Sequence, residues 1–170
     1  DPGAGTGILS AAFIDVAKDS GVEDIELILV ENNKDVLQIL EQNVQVFQDY
    51  CRDIKITTEI LDENFITEQS IDFSMNNTTK YGQFDYIISN PPYLKISRQS
   101  PETLGMDSII SGAPNLYFLF MALSAHCLKD DLGEMVFIVP RSCTSGAYFK
   151  KFREYIFSNL TLSNIHLFNS

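Results

Sequence analysis

An apolar run that ends in a proline-rich corner stands in the middle of the chain, as Phe84-Asp85-Tyr86-Ile87-Ile88-Ser89-Asn90-Pro91-Pro92-Tyr93. The β-branched and aromatic side chains of residues 84–89 are typical of a buried strand, so residues 90–93 form a loop at its carboxyl end. Two prolines fix φ and carry no N–H, which stiffens the loop and leaves nearby carbonyls free. The Asn90 amide oxygen and a free carbonyl can then face one amine, while Tyr93 offers a flat surface to a planar ring.

A glycine-rich loop opens the chain, as Asp1-Pro2-Gly3-Ala4-Gly5-Thr6-Gly7. Its three glycines allow a tight turn and the close approach of a ligand, because no Cβ stands in the way. Such loops act where a strand leads into a helix, so we expect a strand before Asp1 and further chain on at least one side. By itself a glycine-rich loop is often only a structural turn. The Asp1 carboxylate, and the lack of the lysine of phosphate-binding loops, favour a cationic ligand over a nucleoside triphosphate.

Strand and helix patterns alternate along the rest of the chain. We predict strands at 25–30, 54–60, 84–89, 135–139 and 165–168, helices capped near Thr6, Asn33 and Ser145, and a further helix from about Leu116 to Leu128. The first helix is expected to turn Leu9, Ala12, Phe13 and Val16 toward the sheet. Residues 67–82 are interpreted as a polar surface excursion, and residues 97–114 as a mobile segment that can cover the site. This order predicts one α/β domain over residues 1–170, with a mostly parallel sheet and helices on both faces.

The composition limits the partners and the chemistry. Twelve Lys and Arg against 23 Asp and Glu give a formal charge of -11, which is unsuited to gripping a phosphate backbone without help. Cys51, Cys127 and Cys143 have no paired spacing, so they indicate neither a disulfide framework nor a metal site, but reduced thiols in a cytoplasmic protein. No apolar run approaches the roughly 20 residues that a membrane-spanning helix requires.

The two loops together carry a family resemblance. Asp1 to Gly7 and Asn90 to Tyr93 resemble the cofactor and catalytic motifs of S-adenosylmethionine-dependent amino-methyltransferases. Leu94-Lys95-Ile96 and Asn115-Leu116-Tyr117 narrow this resemblance to the adenine-N6-specific DNA methyltransferases of type II restriction-modification systems. The resemblance implies a Rossmann-like class I methyltransferase sandwich, incomplete at its N-terminus, that methylates an adenine flipped out of DNA. It also implies a DNA-recognition domain outside this chain and is compatible with a fused or cognate restriction endonuclease.

The resemblance also assigns residues to S-adenosylmethionine. Glu31 follows the glycine-rich loop at the tip of a predicted strand, where an acidic residue accepts ribose hydroxyls. An exposed strand-end carboxylate is its purely structural alternative. Asp62 or Asn64 is expected to accept a hydrogen bond from the cofactor adenine, with Phe65 as a face for that ring. The complete predicted cofactor set is Asp1, Gly3, Gly5, Gly7, Glu31, Asp62, Asn64 and Phe65.

The corner at Asn90 would carry the chemistry. The lone pair of an adenine amine is delocalised into the ring, so Asn90 Oδ1 and the Pro91 carbonyl would accept its two N–H groups and favour a pyramidal nitrogen. Pro92 stiffens the corner, and Tyr93 would stack on the flipped base. Direct attack on the methyl group needs alignment rather than a covalent intermediate. Methylation of cytosine carbon-5 would need a nucleophilic cysteine, and none of the three cysteines lies beside a proline-rich motif.

Other functions are open to the same corner. A related methyltransferase would modify a protein glutamine or an RNA base, and a non-catalytic subunit would keep only the fold. The helix predicted at Asn115 and the segment Val139-Pro140-Arg141-Ser142 favour the DNA enzymes, whereas the presence of Asp1, Glu31, Asn90 and Tyr93 argues against an inactive subunit. A rigid strand-end turn is the purely structural alternative for the corner. No metal site is predicted, and the isolated residues His126 and His166 are interpreted as structural.

Overall fold

Parallel strands alternate with helices in the computed structural model, which describes residues 1–130 and 132–168. The strands are β1 Asp24–Glu31, β2 Lys55–Asp62, β3 Tyr86–Ser89 and β4 Glu134–Phe137. The helices are α1 Ile8–Asp19, α2 Lys34–Tyr50, α3 Ser70–Met75, α4 Leu116–His126 and α5 Lys150–Asn159. β1 pairs in parallel with β2, and β3 pairs in parallel with β4. The predicted α/β architecture with parallel strands is therefore confirmed.

The first half of the chain follows its sequence patterns closely. Ile25, Leu27 and Leu29 of β1 are buried and alternate with more exposed neighbours, as expected for a strand with a packed face. Asn33 caps α2, because its side chain accepts a hydrogen bond from Asp35 N at 3.1 Å, so the predicted cap is confirmed. Leu37, Leu40 and Val44 of α2 are buried in the same apolar cluster as β1. The alternation of apolar residues in β1 and their helical spacing in α2 thus predict both elements correctly.

The buried face of α1 differs from the prediction. Ser10, Ile14 and Ala17 are buried, whereas Val16 is 65% exposed. Gly7, with φ of +81°, precedes the first helical residue in place of the expected Thr6 cap. Apolar side chains occur on both sides of this helix, so their spacing indicates a helix without telling which side faces the sheet.

Residues 97–114 are anchored rather than mobile, so that prediction is wrong. Met106 and Ile109 are fully buried in the cluster that α4 and α5 form. A short 3-10 helix spans Pro101–Thr103, and the Thr103 hydroxyl lies 2.8 Å from the Arg98 carbonyl. A few large apolar side chains are enough to hold this Ser-rich and Gly-rich segment, because each finds a place in the core.

Two further expectations are corrected. The predicted surface excursion at 67–82 contains α3, and Phe73 and Gln69 within it are buried. The strand predicted at 165–168 is not formed, since residues 160–168 have no regular structure. A strand needs a partner for its backbone, and local alternation of apolar residues cannot supply one.

Helix α4 is the most deeply buried helix. Its 11 residues include Phe118, Leu119 and Leu123 in the main core, and Asn115 caps it by accepting from Tyr117 N. The apolar residues of α4 occur on all of its sides, so it packs as an interior helix. Neither α4 nor any other helix in residues 1–130 and 132–168 combines the length and apolarity needed to cross a membrane.

A groove of about 240 Å³ separates β1 from β3. At one end, Asp1 and Pro2 lie beside β1, because Val30 N donates to the Asp1 carbonyl at 3.1 Å and Gly3 N donates to the Val30 carbonyl at 2.8 Å. The groove is lined mainly by β1, β3 and Phe13 of α1, and residues 90–93 are not among the described residues that line it. The predicted strand before Asp1 stays a prediction.

Candidate functional site

One hydrogen bond brings the two loops together. Ser89, the last residue of β3, is fully buried, and its hydroxyl donates to the Pro2 carbonyl at 2.6 Å. Ser89 directly precedes Asn90, and Pro2 directly follows Asp1. The glycine-rich loop and the corner at residues 90–93 therefore meet at the carboxyl ends of β1 and β3, where ligands bind in open α/β sheets.

The three glycines of the first loop serve different purposes. All three have positive φ, at +71° for Gly3, +57° for Gly5 and +81° for Gly7. A Cβ on Gly7 would lie 2.8 Å from Leu40 Cδ1, so this glycine lets the loop pack closely on α2. A Cβ on Gly5 would meet nothing within 4 Å among the described residues. The space beside Gly5 is thus open to a ligand, whereas Gly7 is required by packing.

Glu31 ties the tip of β1 to the glycine-rich loop. Its Oε2 accepts from Gly5 N at 2.9 Å, and its Oε1 accepts from Asn32 N at 2.9 Å and from Asn33 N at 2.8 Å. A carboxylate has about four lone-pair sites, so these contacts leave it able to accept a further hydrogen bond. Glu31 is therefore an oriented carboxylate, and this arrangement suits the predicted contact with a hydroxyl.

Asp1 adds a second oriented carboxylate. Its Oδ2 accepts from the Ser10 hydroxyl of α1 at 2.7 Å. Its Oδ1 is buried and has no hydrogen-bond partner among the described residues. A buried carboxylate oxygen without a donor is unfavourable, so Asp1 is suited to a cationic or N–H donor from a ligand. The carboxylates of Asp1 and Glu31, together with the open space at Gly5, fit the ammonium and ribose groups of S-adenosylmethionine.

Asp62 and Asn64, the two predicted acceptors for the cofactor adenine, make different contacts in the structure. Asp62, at the end of β2, forms an ion pair with Lys34 across the strand ends. Asn64 caps a turn, because its Oδ1 accepts from Ile66 N and its Nδ2 donates to Glu102 Oε1. The Asp62 carboxylate lies at the surface, and its ion pair with Lys34 is exposed to solvent. Because exposed ion pairs contribute little stability, a ligand can displace Lys34 from Asp62 at little cost.

Phe65 does not offer an open ring face. It is 6% exposed and lies in the main core. Its ring stacks on Phe120 at a centroid distance of 5.2 Å and on Tyr81 at 5.9 Å. The expected stacking of Phe65 on a cofactor ring is therefore corrected, since other aromatic side chains cover this residue.

Side chains hold the corner at residues 90–93. The Tyr93 hydroxyl lies 2.6 Å from Asn90 Oδ1 and 2.9 Å from the Ile138 carbonyl. A phenol has one proton to donate, so it serves one of these acceptors at a time. Tyr93 is 49% exposed, and partial burial raises the pKa of its phenol, which keeps this donor protonated near neutral pH. The corner thus presents an exposed ring and an acceptor that is already in use.

Cys127 is a buried thiol in the interior of the fold. Burial raises the pKa of the Cys127 thiol to about 11, and Cys127 lies in an inner network with Gln69 and Thr79. A thiol with such a pKa is a poor nucleophile at neutral pH. Within residues 1–130 and 132–168, no three His, Cys, Asp or Glu side chains are grouped closely enough to hold a metal ion.

Sequence reasoning missed two hydroxyls that the site uses. Ser89 orders the corner through Pro2, and Ser10 orders the Asp1 carboxylate. Both are fully buried. In the sequence, Ser89 stands at the end of an apolar strand and Ser10 stands within the first helix. Because a buried hydroxyl needs a partner, each position indicates a hydrogen bond, but the sequence does not identify the acceptor.

Comparison with known proteins extends these observations. The family model described as Eco57I restriction-modification methylase matches residues 16–170. Type II methyltransferase M.BsuBI of Bacillus subtilis is 31% identical over 173 residues, an alignment that covers 100% of this chain and 34% of the relative. Type II methyltransferase M.PstI of Providencia stuartii is 32% identical over 176 residues, which cover 100% of this chain and 33% of the relative. The chain therefore spans about one third of the length of these two relatives.

A solved structure supports the same fold. A protein from Listeria monocytogenes assigned as a class I S-adenosylmethionine-dependent methyltransferase superposes with a TM-score of 0.67 at 19% identity. The match covers 93% of this chain and 43% of that chain. The described residues thus have the fold of a class I methyltransferase, in agreement with the predicted fold.

Proposed function

Because the chain belongs to the Eco57I restriction-modification methylase family, we propose that it carries the catalytic centre of a DNA methyltransferase that acts on the exocyclic N6 of adenine. The observation that carries this proposal is the Ser89 to Pro2 hydrogen bond, which places the glycine-rich loop beside the corner at residues 90–93. A methyl transfer needs a donor site and an acceptor site in contact, and these two loops are suited to those two tasks.

The glycine-rich loop is our proposed site for S-adenosylmethionine. When bound, this cofactor would supply an electrophilic methyl group on its sulfonium. Asp1 would receive the amino group, Glu31 the ribose hydroxyls and Asp62 the adenine amine. Gly5 leaves open space for the ligand, and Gly3 and Gly7 support the shape of the loop through their positive φ. Asp62 is preferred to Asn64 because the Asn64 side chain is committed to its turn and to Glu102.

Asn90 and Pro91 would prepare the amine of the target adenine. Asn90 Oδ1 and the Pro91 carbonyl accept its two N–H groups, which draws the nitrogen lone pair out of conjugation with the ring. With the cofactor bound, that lone pair would be free to accept the methyl group as its bond to sulfur breaks, and one N6 proton would leave to solvent. These acceptors hold and align the amine, so the step requires neither a strong base nor a covalent intermediate.

Tyr93 would receive the base. Its exposed ring can stack on an adenine that has left the duplex, and Pro92 keeps the ring in register with Asn90. Asn90 Oδ1 is engaged by the Tyr93 hydroxyl in the structure. The arriving amine therefore replaces the phenol at this acceptor, and the Ile138 carbonyl at 2.9 Å remains available to the hydroxyl.

DNA is the proposed partner, held mainly by other parts of the intact protein. The net charge of -11 is unfavourable for binding phosphates, and several lysines are engaged in ion pairs, including Lys34 with Asp62 and Lys129 with Asp85. We propose that a recognition domain outside this chain grips the DNA and that a cognate or fused restriction endonuclease reads the same sequence. Such an enzyme would act in the cytoplasm, where the DNA is.

Transfer of a labelled methyl group tests the proposal. The intact protein is incubated with labelled S-adenosylmethionine and either unmethylated DNA or a protein substrate such as a release factor, and the digested products are separated. Label in N6-methyladenine is the expected result. Label confined to cytosine would overturn the adenine assignment, and label confined to a glutamine of the protein substrate would overturn the DNA assignment.

A further inference from the structure

The side chain of Ser89 links the corner at residues 90–93 to the glycine-rich loop. It is fully buried at the end of β3, and its hydroxyl donates to the Pro2 carbonyl at 2.6 Å. We propose that Ser89 is a positioning residue that sets the spacing between the methyl-donor loop and the amine-binding corner. This inference rests on the proposed function, because it concerns the alignment of the two reacting groups.

The two prolines of the corner cannot donate to the glycine-rich loop. Pro91 and Pro92 have no N–H, so residues 91 and 92 have no backbone donor to offer toward the glycine-rich loop. The Ser89 carbonyl is already committed to β4, because it accepts from Ile138 N at 3.0 Å. In the structure the Ser89 hydroxyl is the group that reaches across, and it supplies a donor that the two prolines lack.

The Ser89 to Pro2 hydrogen bond is a direct link between the two loops. Within the described residues, the Ser89 to Pro2 contact is the one hydrogen bond between residues 1–7 and residues 84–96. Among the described residues, β1 pairs with β2 and β3 pairs with β4, and the groove between β1 and β3 begins beside Pro2. Loss of the Ser89 hydroxyl would remove this direct link between the corner and the loop, while each loop keeps its own contacts.

The expected consequence is a loss of alignment. Asn90 follows Ser89 directly, and a shift of Asn90 relative to the donor loop alters the angle at which the amine meets the methyl group. The seven-residue loop keeps its own hydrogen bonds to Val30 and Glu31, so it retains its shape for the cofactor. A positioning role thus predicts a slower chemical step with little change in cofactor affinity.

The test is Ser89→Ala in the intact protein, measured as a single-turnover rate with saturating DNA and S-adenosylmethionine. The expected result is a rate about tenfold or more below wild type, with a Kd for S-adenosylmethionine within about twofold. Ser89→Thr keeps a hydroxyl and is expected to restore most of the rate. If Ser89→Ala does not fold, Ser89→Cys keeps a weak donor in the same place and is expected to show an intermediate rate.

Ser124→Ala is the matched control. Ser124 lies in α4, is as fully buried as Ser89, and its hydroxyl has no hydrogen-bond partner in the part of the chain that the structure describes. Its removal is expected to leave the rate unchanged. A Ser89→Ala rate equal to that of Ser124→Ala, with wild type active on adenine, would overturn the positioning role alone. A wild-type protein that leaves adenine unlabelled would overturn the proposed function itself.

Discussion

The glycine-rich loop and the corner at residues 90–93 lie at the same end of the strands but are held by different kinds of contact. Backbone N–H groups of the loop donate to β1, with Gly3 N on the Val30 carbonyl and Gly5 N on the Glu31 carboxylate. Side chains hold the corner, since the Tyr93 hydroxyl bonds Asn90 Oδ1. Under the proposed function, the loop contacts would remain when a ligand exchanges, whereas the Tyr93 hydroxyl would leave Asn90 Oδ1 when the target amine arrives.

This difference matches the tasks that we propose for the two loops. A cofactor site that is built before the ligand arrives loses little entropy on binding. An acceptor that a neighbouring phenol keeps occupied stays oriented without being left unpaired. Substitutions in the loop should therefore alter cofactor affinity, and substitutions in the corner should alter the rate of transfer.

The largest effect is expected for Asn90→Ala. It removes one of the two acceptors for the target amine, so single-turnover methyl transfer to DNA should fall by about 100-fold or more. The Kd for S-adenosylmethionine, measured by calorimetry, should stay close to wild type because Asn90 is not part of the loop. An equal loss of rate and cofactor affinity would contradict the division of labour between the two loops.

A smaller effect is expected for Gly5→Ala, with Gly21→Ala as the control. Both glycines have positive φ, at +57° and +80°, and a Cβ at either position meets nothing within 4 Å among the described residues. Each variant should lose about 1–2 kcal/mol of stability to the strained backbone. Only Gly5→Ala should weaken S-adenosylmethionine binding, by about tenfold or more, because its methyl group enters the ligand space. Equal cofactor affinities in the two variants would remove Gly5 from the site.

The smallest effect is expected for Tyr93→Phe, which keeps the ring and removes the hydroxyl. The acceptor on Asn90 is then free for the target amine, so the transfer rate should remain within about threefold of wild type. Tyr93→Ala, which also removes the stacking surface, should lose considerably more. A Tyr93→Phe rate as low as that of Tyr93→Ala would show that the hydroxyl, rather than the ring, is required.

The pKa of Tyr93 gives this comparison a pH dependence. Burial raises that pKa above its ordinary value, so the phenol is protonated in both the folded and unfolded states below about pH 10. Its hydrogen bond is thus present at neutral pH and is lost only as the pH rises through the raised pKa. The ratio of wild-type to Tyr93→Phe rates should therefore be constant from about pH 7 to about pH 9, and a ratio that changes in this range would assign the phenol a lower pKa.

Local pattern was sufficient for much of the fold. The apolar run before Glu31, the Asn33 cap and the strand before Asn90 all appear as predicted, because each depends on contacts within a few residues or on burial of a regular face. The turn at the glycine-rich loop was also recognisable, since all three glycines adopt the positive φ that favours glycine.

Packing between distant segments explains the errors. Residues 97–114 contain many Ser, Gly and Pro residues and were expected to be mobile, yet Met106 and Ile109 fill the core. Phe65 follows a predicted strand end and was expected at the cofactor, yet Phe120 and Tyr81 cover its ring. In each case a side chain that suits two environments lies in a core cluster that draws residues from distant parts of the chain.

By itself, the amino-acid sequence determined the chemical groups and their order: one loop rich in glycine, and one loop stiffened by proline that follows a strand. Only the tertiary structure decided which of those groups meet, through the Ser89 hydroxyl on the Pro2 carbonyl and the Glu31 carboxylate on Gly5 N. The reason is physical. Backbone geometry and apolar periodicity are local properties, whereas the partner of a buried polar group depends on how distant segments pack.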